Sequence, residues 1–298
     1  MGSLTTALLV ASLQVAPAWE EAPVPHSLAQ TEVRAIETTA TGDVWISVRG
    51  QGLARLQEGQ VTWVTADDGL VSSGIADLHQ DRLGRIWAVG LGGYSVLHGN
   101  RWETEPGFGG LQPRVIFSVY EEEGADAVWL ASSGGAGRLK DGVWTVLRES
   151  DGLPHEVVHA VVVDREGATW LACRTGLARV NDGEIDIQFR DVNFRTALAG
   201  PDGVLWFGTS DGVFQWDGSS WTQHLEGRTV YPRLATDEGV IWAGSANDGV
   251  FRHASGEWEA IELPVRLQGS EVFDLAQGPD GSIWLATSAG LGRLVPIH

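Results

Sequence analysis

The sequence predicts an all-β protein: a seven-bladed β-propeller of four-stranded blades, its ring closed by an N-terminal strand that completes the last blade. Three observations carry this. Seven tryptophans end the same short phrase, at Trp45, Trp87, Trp129, Trp170, Trp206, Trp242 and Trp284, spaced 42, 42, 41, 36, 36 and 42 residues apart. Self-similarity at such a period marks a repeat architecture. Each repeat has room for four short strands and no helix, and Gly with Asp or Ser recurs at the turns, as all-β repeats require. The end of the seventh repeat also lacks a fourth strand, for which the N-terminal segment has a candidate.

Within a repeat the elements follow in order. In the third, Val115–Tyr120 reads as the first strand and Ala127–Ser132, around its Trp, as the second. Arg138–Leu139 and neighbours give the third, and Val143–Leu147 the fourth. The turn before the fourth strand carries hairpin chemistry: Asp141-Gly142, Asp182-Gly183, Asp217-Gly218 and Ser255-Gly256. Gly there supplies the positive φ of a tight hairpin. A second tryptophan series, Trp63, Trp102, Trp144, Trp221 and Trp258, marks the fourth strands, with Ile185, Ile187 and Phe189 serving in repeat four. Nearly every Trp is therefore read as core. Burying ~150–250 Å² per indole contributes about 4–6 kcal/mol before entropy is charged.

Trp19 precedes Ile36 by the 17 residues that separate Trp144 from Val161. The segment around Trp19 thus supplies the outer strand of the last blade and removes two open edges, a liability that sheets avoid. No linker interrupts the period, so residues 19–298 form one domain. Residues 1–18 read as a candidate signal peptide: an apolar stretch from Leu4 to Val15, then Ala16-Pro17-Ala18 in a small-x-small pattern. Export places the protein in the periplasm or outside the cell; if this start is not a leader, the chain is cytoplasmic.

The net charge of −19 argues against nucleic acid as a partner, because that affinity comes from cations neutralising phosphates. The cations are 19 arginines and one lysine, Lys140. Arg55, Arg138, Arg179, Arg252 and Arg293 share one slot of the repeat and read as structural. The lone Cys173 occupies the slot of Thr209, Ser245 and Thr287 and reads as a small core residue rather than a nucleophile.

Divergence from the repeat is the functional signal. Eleven residues before each Trp stand Arg34, Ala76, Ser118 (displaced by an inserted residue), His159, Arg195, Tyr231 and Phe273, beside a uniformly apolar register that includes Phe117. On the turns four residues after the Trp stand Arg49 and Arg174. In a propeller both positions lie near the channel mouth on the upper face. Arg34, Arg49, Arg174, Arg195 and His159 would form a cationic cluster suited to carboxylate, sulfate or phosphate, with Tyr231 and Phe108, the latter on the long exposed-looking segment Glu103–Pro113, as further ligand contacts. The competing reading pairs each Arg with a loop acid such as Asp67, Asp68 or Glu149.

The phrase around each Trp, followed by stretches such as Trp63-Val-Thr-Ala-Asp-Asp-Gly-Leu70 and Trp144-Thr-Val-Leu-Arg-Glu-Ser-Asp-Gly-Leu-Pro154, resembles the two-component regulator propeller repeat over roughly residues 19 to 298. The resemblance implies a bacterial periplasmic sensor, often of polysaccharide fragments, coupled to a membrane-bound signalling kinase. It brings no catalytic residue, no metal and no cofactor. The chain is then a non-catalytic ligand-binding or signal-sensing module, free-standing or cut from a longer sensor. Its partner is a small molecule or oligosaccharide, possessing an acidic group, or a protein.

Two alternatives accompany this. Trp206-Phe207 partly echoes the blade phrase of streptogramin-type lyases, seven-bladed propellers that look to need a metal held by His and Glu. The string His155-Glu156-Val157-Val158-His159 invites a zinc reading, but on a strand residues four apart lie ~13 Å from each other, too far to share one ion. The third class is a protein-interaction scaffold.

Overall fold

The computed structural model describes residues 18–20, 28 and 30–295. Among the described residues it is a β structure with three single-turn 3₁₀ segments and one helical residue, Leu28. Five sheets have four antiparallel strands, and one has eight. The eight-stranded sheet is two four-stranded meanders, residues 194–224 and 230–261, joined only where Thr209 pairs with Val230. We number the successive meanders as units one to seven.

Unit three illustrates the unit: Ile116–Glu122, Ala127–Ser132, Gly135–Lys140 and Val143–Leu147, each paired with the next. At the hairpin before the fourth strand, Asp141 and Gly142 have φ of 51° and 75°, and Asp182 and Gly183 have 49° and 84°. Two successive positive values are what a two-residue turn matched to strand twist demands. In unit seven the fourth position is filled from the N-terminal side: Ala18–Glu20 pairs antiparallel with Gly290–Val295, Trp19 opposite Leu294. The remainder of the candidate leader, residues 1–17, lies outside the described residues.

The core lies between units. Each second-strand Trp is buried, facing the following unit. Trp45 packs with Ile75, Leu78 and Ile86 of unit two, and Trp170 with Phe194, Leu205 and Phe207 of unit five. Trp284 of unit seven packs with Ile36 and Ile46 of unit one. In the outer series Trp63 departs from expectation at 41% exposed: Val61 pairs with Leu56 at the position where Trp102 pairs with Leu97, and Trp63 stands two residues further along, opposite Ala54. Cys173 is fully buried, which pushes its thiol up to about 12.

The expected structural arginines pack as the repeat implies. Arg55, Arg179, Arg252 and Arg293 each lie over the second-strand Trp of their own unit, with Cζ 5.3–5.9 Å from the ring. Each also meets an acid: Asp43, Asp164, Glu259 and Asp280 respectively. Arg138 meets Glu122 at 2.8 Å.

Candidate functional site

First strands of successive units line a channel of about 660 Å³, within the range of small-molecule sites. A β-bulge near the start of each first strand shapes its mouth. In unit one the ladder skips from Val33 to Ala35, and in unit four from Val158 to Ala160. The skipped residue is free of a cross-strand partner, and bulges re-aim side chains in this way. The skipped residues are Arg34, Ala76, Phe117, His159, Arg195 and Phe273, and all line the channel.

Unit three corrects the sequence register. Its second-strand Trp sits one residue further from the bulge, so Phe117, not Ser118, takes the mouth position. Ile116 fills the apolar slot. The rings of Phe117 and His159 lie 5.0 Å apart. Unit six departs differently: Tyr231 pairs with Gly244, Pro232 with Ala243, and the bulge falls on Arg233. Proline has no N–H for the ladder, and Arg233 is placed in the lumen a step further along the strand than Tyr231. Counting back from Trp242 misses it; Pro232 inside a first strand is the available signal.

The cationic cluster divides into two. Arg34 and Arg49 both meet Glu32, Arg49 Nη1 at 2.7 Å from Oε2. Arg34 also lies over Phe273, its Cζ 4.0 Å from the ring centroid. This pair has the acid partner that the competing reading expects, though the acid is Glu32. Asp68 is instead occupied by the Thr65 N–H, which donates to its Oδ2 at 2.8 Å. Arg174 and Arg195 are exposed and form no ion pair among the described residues. Both act on His159. Burial, then the charges of Arg195, Arg174 and His155, depress its imidazole to about 4. Its Nε2 is buried without a hydrogen-bond partner. Tyr231 lines the lumen, and burial raises its phenol against the pull of Arg195 and Arg233.

Phe108 does not join this site. It is 3% exposed and packs on Trp144 with centroids 5.1 Å apart. The turn that carries it folds back on itself, with Phe108 and Leu111 exchanging backbone N–H···O bonds. Length and a glycine-rich composition give that segment an exposed look, but its aromatic side chain fills the space beside Gly137, where a Cβ would collide with the ring.

Deeper in the channel stand carboxylates that sequence reasoning missed. Asp77 Oδ2 accepts the Val119 N–H at 3.0 Å, and Asp274 Oδ2 accepts the Ile36 N–H at 3.0 Å. Each thus stitches its own first strand to the next. Glu37 Oε1 accepts the Gln80 N–H at 2.8 Å. Enclosure raises all three, Glu37 to about 8 and Asp77 to about 7; repulsion from Asp274 adds to the rise in Glu37 and Asp77, and Arg233 opposes the rise in Asp77 and Asp274. The His155–His159 string leaves strand geometry at its start, where His155 Nδ1 accepts the Val157 N–H at 2.8 Å. Among the described residues no three His, Cys, Asp or Glu side chains are grouped to hold a metal ion. No helix there is long and apolar enough to cross a membrane.

Neither a protein-family model nor a curated protein matches the chain. Solved structures do resemble it. A streptogramin B lyase superposes with a TM-score of 0.73 at 17% identity, covering 90% of this chain and 94% of that one. The extracellular domain of the hybrid two-component system BT3049 of B. thetaiotaomicron gives 0.77 at 15%, covering 94% of this chain and 41% of that one. The WD40 β-propeller domain of Doa1 gives 0.67 at 14%, covering 89% and 92%. At these identities the likeness defines the fold: an all-β protein of the propeller class, which enzymes, sensor domains and interaction domains share.

Proposed function

We propose that this chain is a non-catalytic, ligand-binding propeller of the sensor type, which seats an anionic group on Arg174, Arg195 and His159 at the channel mouth. The architecture in this reading has seven blades. The two meanders of the eight-stranded sheet count separately, and Ala18–Glu20 closes the ring on the last blade. The single pair Thr209–Val230 and the pairing of Trp19 with Leu294 support that count.

One observation carries the binding reading. On a molecule of net charge −19, Arg195 lines the channel and Arg174 acts with it on His159; both guanidiniums are exposed and without a carboxylate partner among the described residues, and the buried imidazole Nε2 has no partner there either. Like charges gathered without counter-charge are costly, and an anion held by Arg forks and an N–H relieves that cost. Export by the candidate leader and relay to a signalling protein, such as a membrane-bound kinase, complete the proposal.

Calorimetric titration of the purified protein with carboxylates, sulfates, phosphates and acidic oligosaccharides tests it. Binding of an anion is expected, and about tenfold or greater weakening in the double variant Arg174→Ala, Arg195→Ala. Equal affinity in the two proteins would overturn the site.

A further inference from the structure

The mouth is not evenly filled. Of the residues exposed by the bulges, Ala76 alone is small, and it opens a gap on the side of unit two. Around the ring this gap has Phe117 on one side and Arg34, lying on Phe273, on the other. Across the lumen, three and four units away, stand Arg195 and Tyr231. A molecule seated in the gap therefore has a ring surface beside it and a guanidinium opposite.

We infer that the ligand is a small aromatic carboxylate, its ring over Ala76 against Phe117 and its carboxylate on Arg195 and the Nε2 of His159. This rests on the anion reading above and adds the body that carries the charge. The neutral imidazole can hold its proton on Nε2 and donate it to a carboxylate oxygen, which gives that buried nitrogen a partner. Aromatic pairs in offset or edge contact strengthen the seating beyond area alone.

Two features favour an aromatic over a sugar body. The gap is bordered by Ala76, Phe117 and the Phe273–Arg34 stack, none of which accepts a hydrogen bond from its side chain. A sugar there would set hydroxyls against side chains that offer them no acceptor, which is unfavourable. The lumen is a closed-sided channel rather than a groove, so it admits one end of a small molecule and not the middle of a polymer. Below the mouth Asp77 and Asp274 accept strand N–H groups near Arg233. A second anionic head reaching that depth would meet carboxylates, so the ligand carries one.

Titrations with phenylacetate, glucuronate and inorganic sulfate test the inference, in the wild type and in Ala76→Phe, Phe117→Ala and Arg195→Ala. Phenylacetate is expected to bind about tenfold or more tightly than glucuronate. Ala76→Phe, which fills the gap, and Phe117→Ala, which removes its wall, should each weaken phenylacetate by at least about tenfold and leave sulfate unchanged. Arg195→Ala should weaken both. Glucuronate binding as tightly as phenylacetate, or both gap variants leaving phenylacetate unaffected, overturns the aromatic body while the anion site stands. Failure of the wild type to bind any of the three, or an Arg195→Ala variant equal to wild type, overturns the anion site and this inference with it.

Discussion

The indole Nε1–H of Trp170 donates to Oδ2 of Asp164 at 2.9 Å. Arg179 covers the same indole, Cζ 5.5 Å from its ring, and its Nη2 lies 3.4 Å from the same carboxylate oxygen. The Trp that defines the repeat is thus clasped by an acid from the turn before it and an Arg from the next strand. Trp129, Glu122 and Arg138 repeat the clasp. In unit two Val96 pairs opposite Trp87, and in unit five Gln215 opposite Trp206, where the other five units place an Arg. In unit two Arg85, from the turn, takes over and meets Asp81 at 2.6 Å. Cation–π contact and a shared carboxylate fix the indole in one orientation against the next unit.

Asp81 tests the clasp. It is 3% exposed and accepts from the Trp87 Nε1–H, the Arg85 side chain and the Leu83 and Arg85 backbone N–H groups. Asp81→Ala leaves these donors without their acceptor and is expected to cost about 3–5 kcal/mol, lowering Tm by roughly 6–15 °C. Burial pushes this carboxyl up, but the bonds from Trp87 and Arg85 outweigh it and hold it below its ordinary value. Its contribution is then present above an unfolded value near ~3.9 and is lost as pH falls through the lower folded value. Urea unfolding should show the wild-type advantage over Asp81→Ala at pH 7 and its decline in strong acid.

The channel carboxylates predict the opposite trend. Burial raises Glu37 to about 8; Gln80 opposes this, and Asp274 and Asp77 reinforce it. A carboxyl raised on folding favours the folded state fully below its unfolded value and loses that contribution as pH rises through the folded one, here between ~4.5 and about 8. Glu37→Gln keeps an acceptor for the Gln80 N–H and carries no charge. Its Tm should exceed that of wild type at pH 8.5 by a few degrees, roughly 2–6 °C, and the difference should vanish near pH 4. A constant difference across that range would count against the titration.

The repeat was legible because burial of one large residue per unit demands a fixed spacing. The same spacing exposed the third-strand arginines and the Asp-Gly turns. Legibility failed where one residue of offset matters. The shift in unit three exchanged Phe117 with Ser118, and a count back from Trp242 passes over Arg233, since a one-residue slip re-aims the side chains and only Pro232 marks it in the sequence. Asp77 and Asp274 were missed for another reason. Their partners come from the neighbouring unit, Ile36 being 238 residues from Asp274, and no local pattern records such a neighbour.

His159 should titrate near its depressed value of about 4 in the unliganded protein, followed through its imidazole proton resonances by NMR. Burial and the charges of Arg195 and Arg174 disfavour the imidazolium. Replacing either arginine with Ala should therefore move the midpoint up towards the ordinary 6.5. A bound carboxylate acts in the same direction. By linkage, anion affinity should rise as pH falls towards the bound-state midpoint. An unmoved midpoint in both variants would show that these cations do not face the ring.

Phe108 separates packing from binding. It lies in the core between units two and three with Tyr94, Ile116 and Leu130. Phe108→Ala is expected to cost about 3–5 kcal/mol, read as a fall in Tm, while anion affinity measured below the transition stays at the wild-type value. A selective loss of affinity without loss of stability would return Phe108 to the ligand site.

The pairing of Trp19 with Leu294 makes the stability of the last unit depend on the first described strand. Without Ala18–Glu20, the strand Gly290–Val295 becomes an edge, and its outward N–H and C=O groups lose their protein partners. Strand Val33–Thr38 lies against the first strand of unit seven, and Asp274 already bonds across that boundary to Ile36. Loss of the outer strand therefore weakens the unit on which unit one rests. Deletion of residues 19–24 should lower Tm by roughly 5 °C or more and broaden the transition, as unit seven loosens before the rest. Amide exchange should quicken first in Ile283–Thr287 and Gly290–Val295. An unchanged transition would mean that unit seven is held by its inter-unit cores alone.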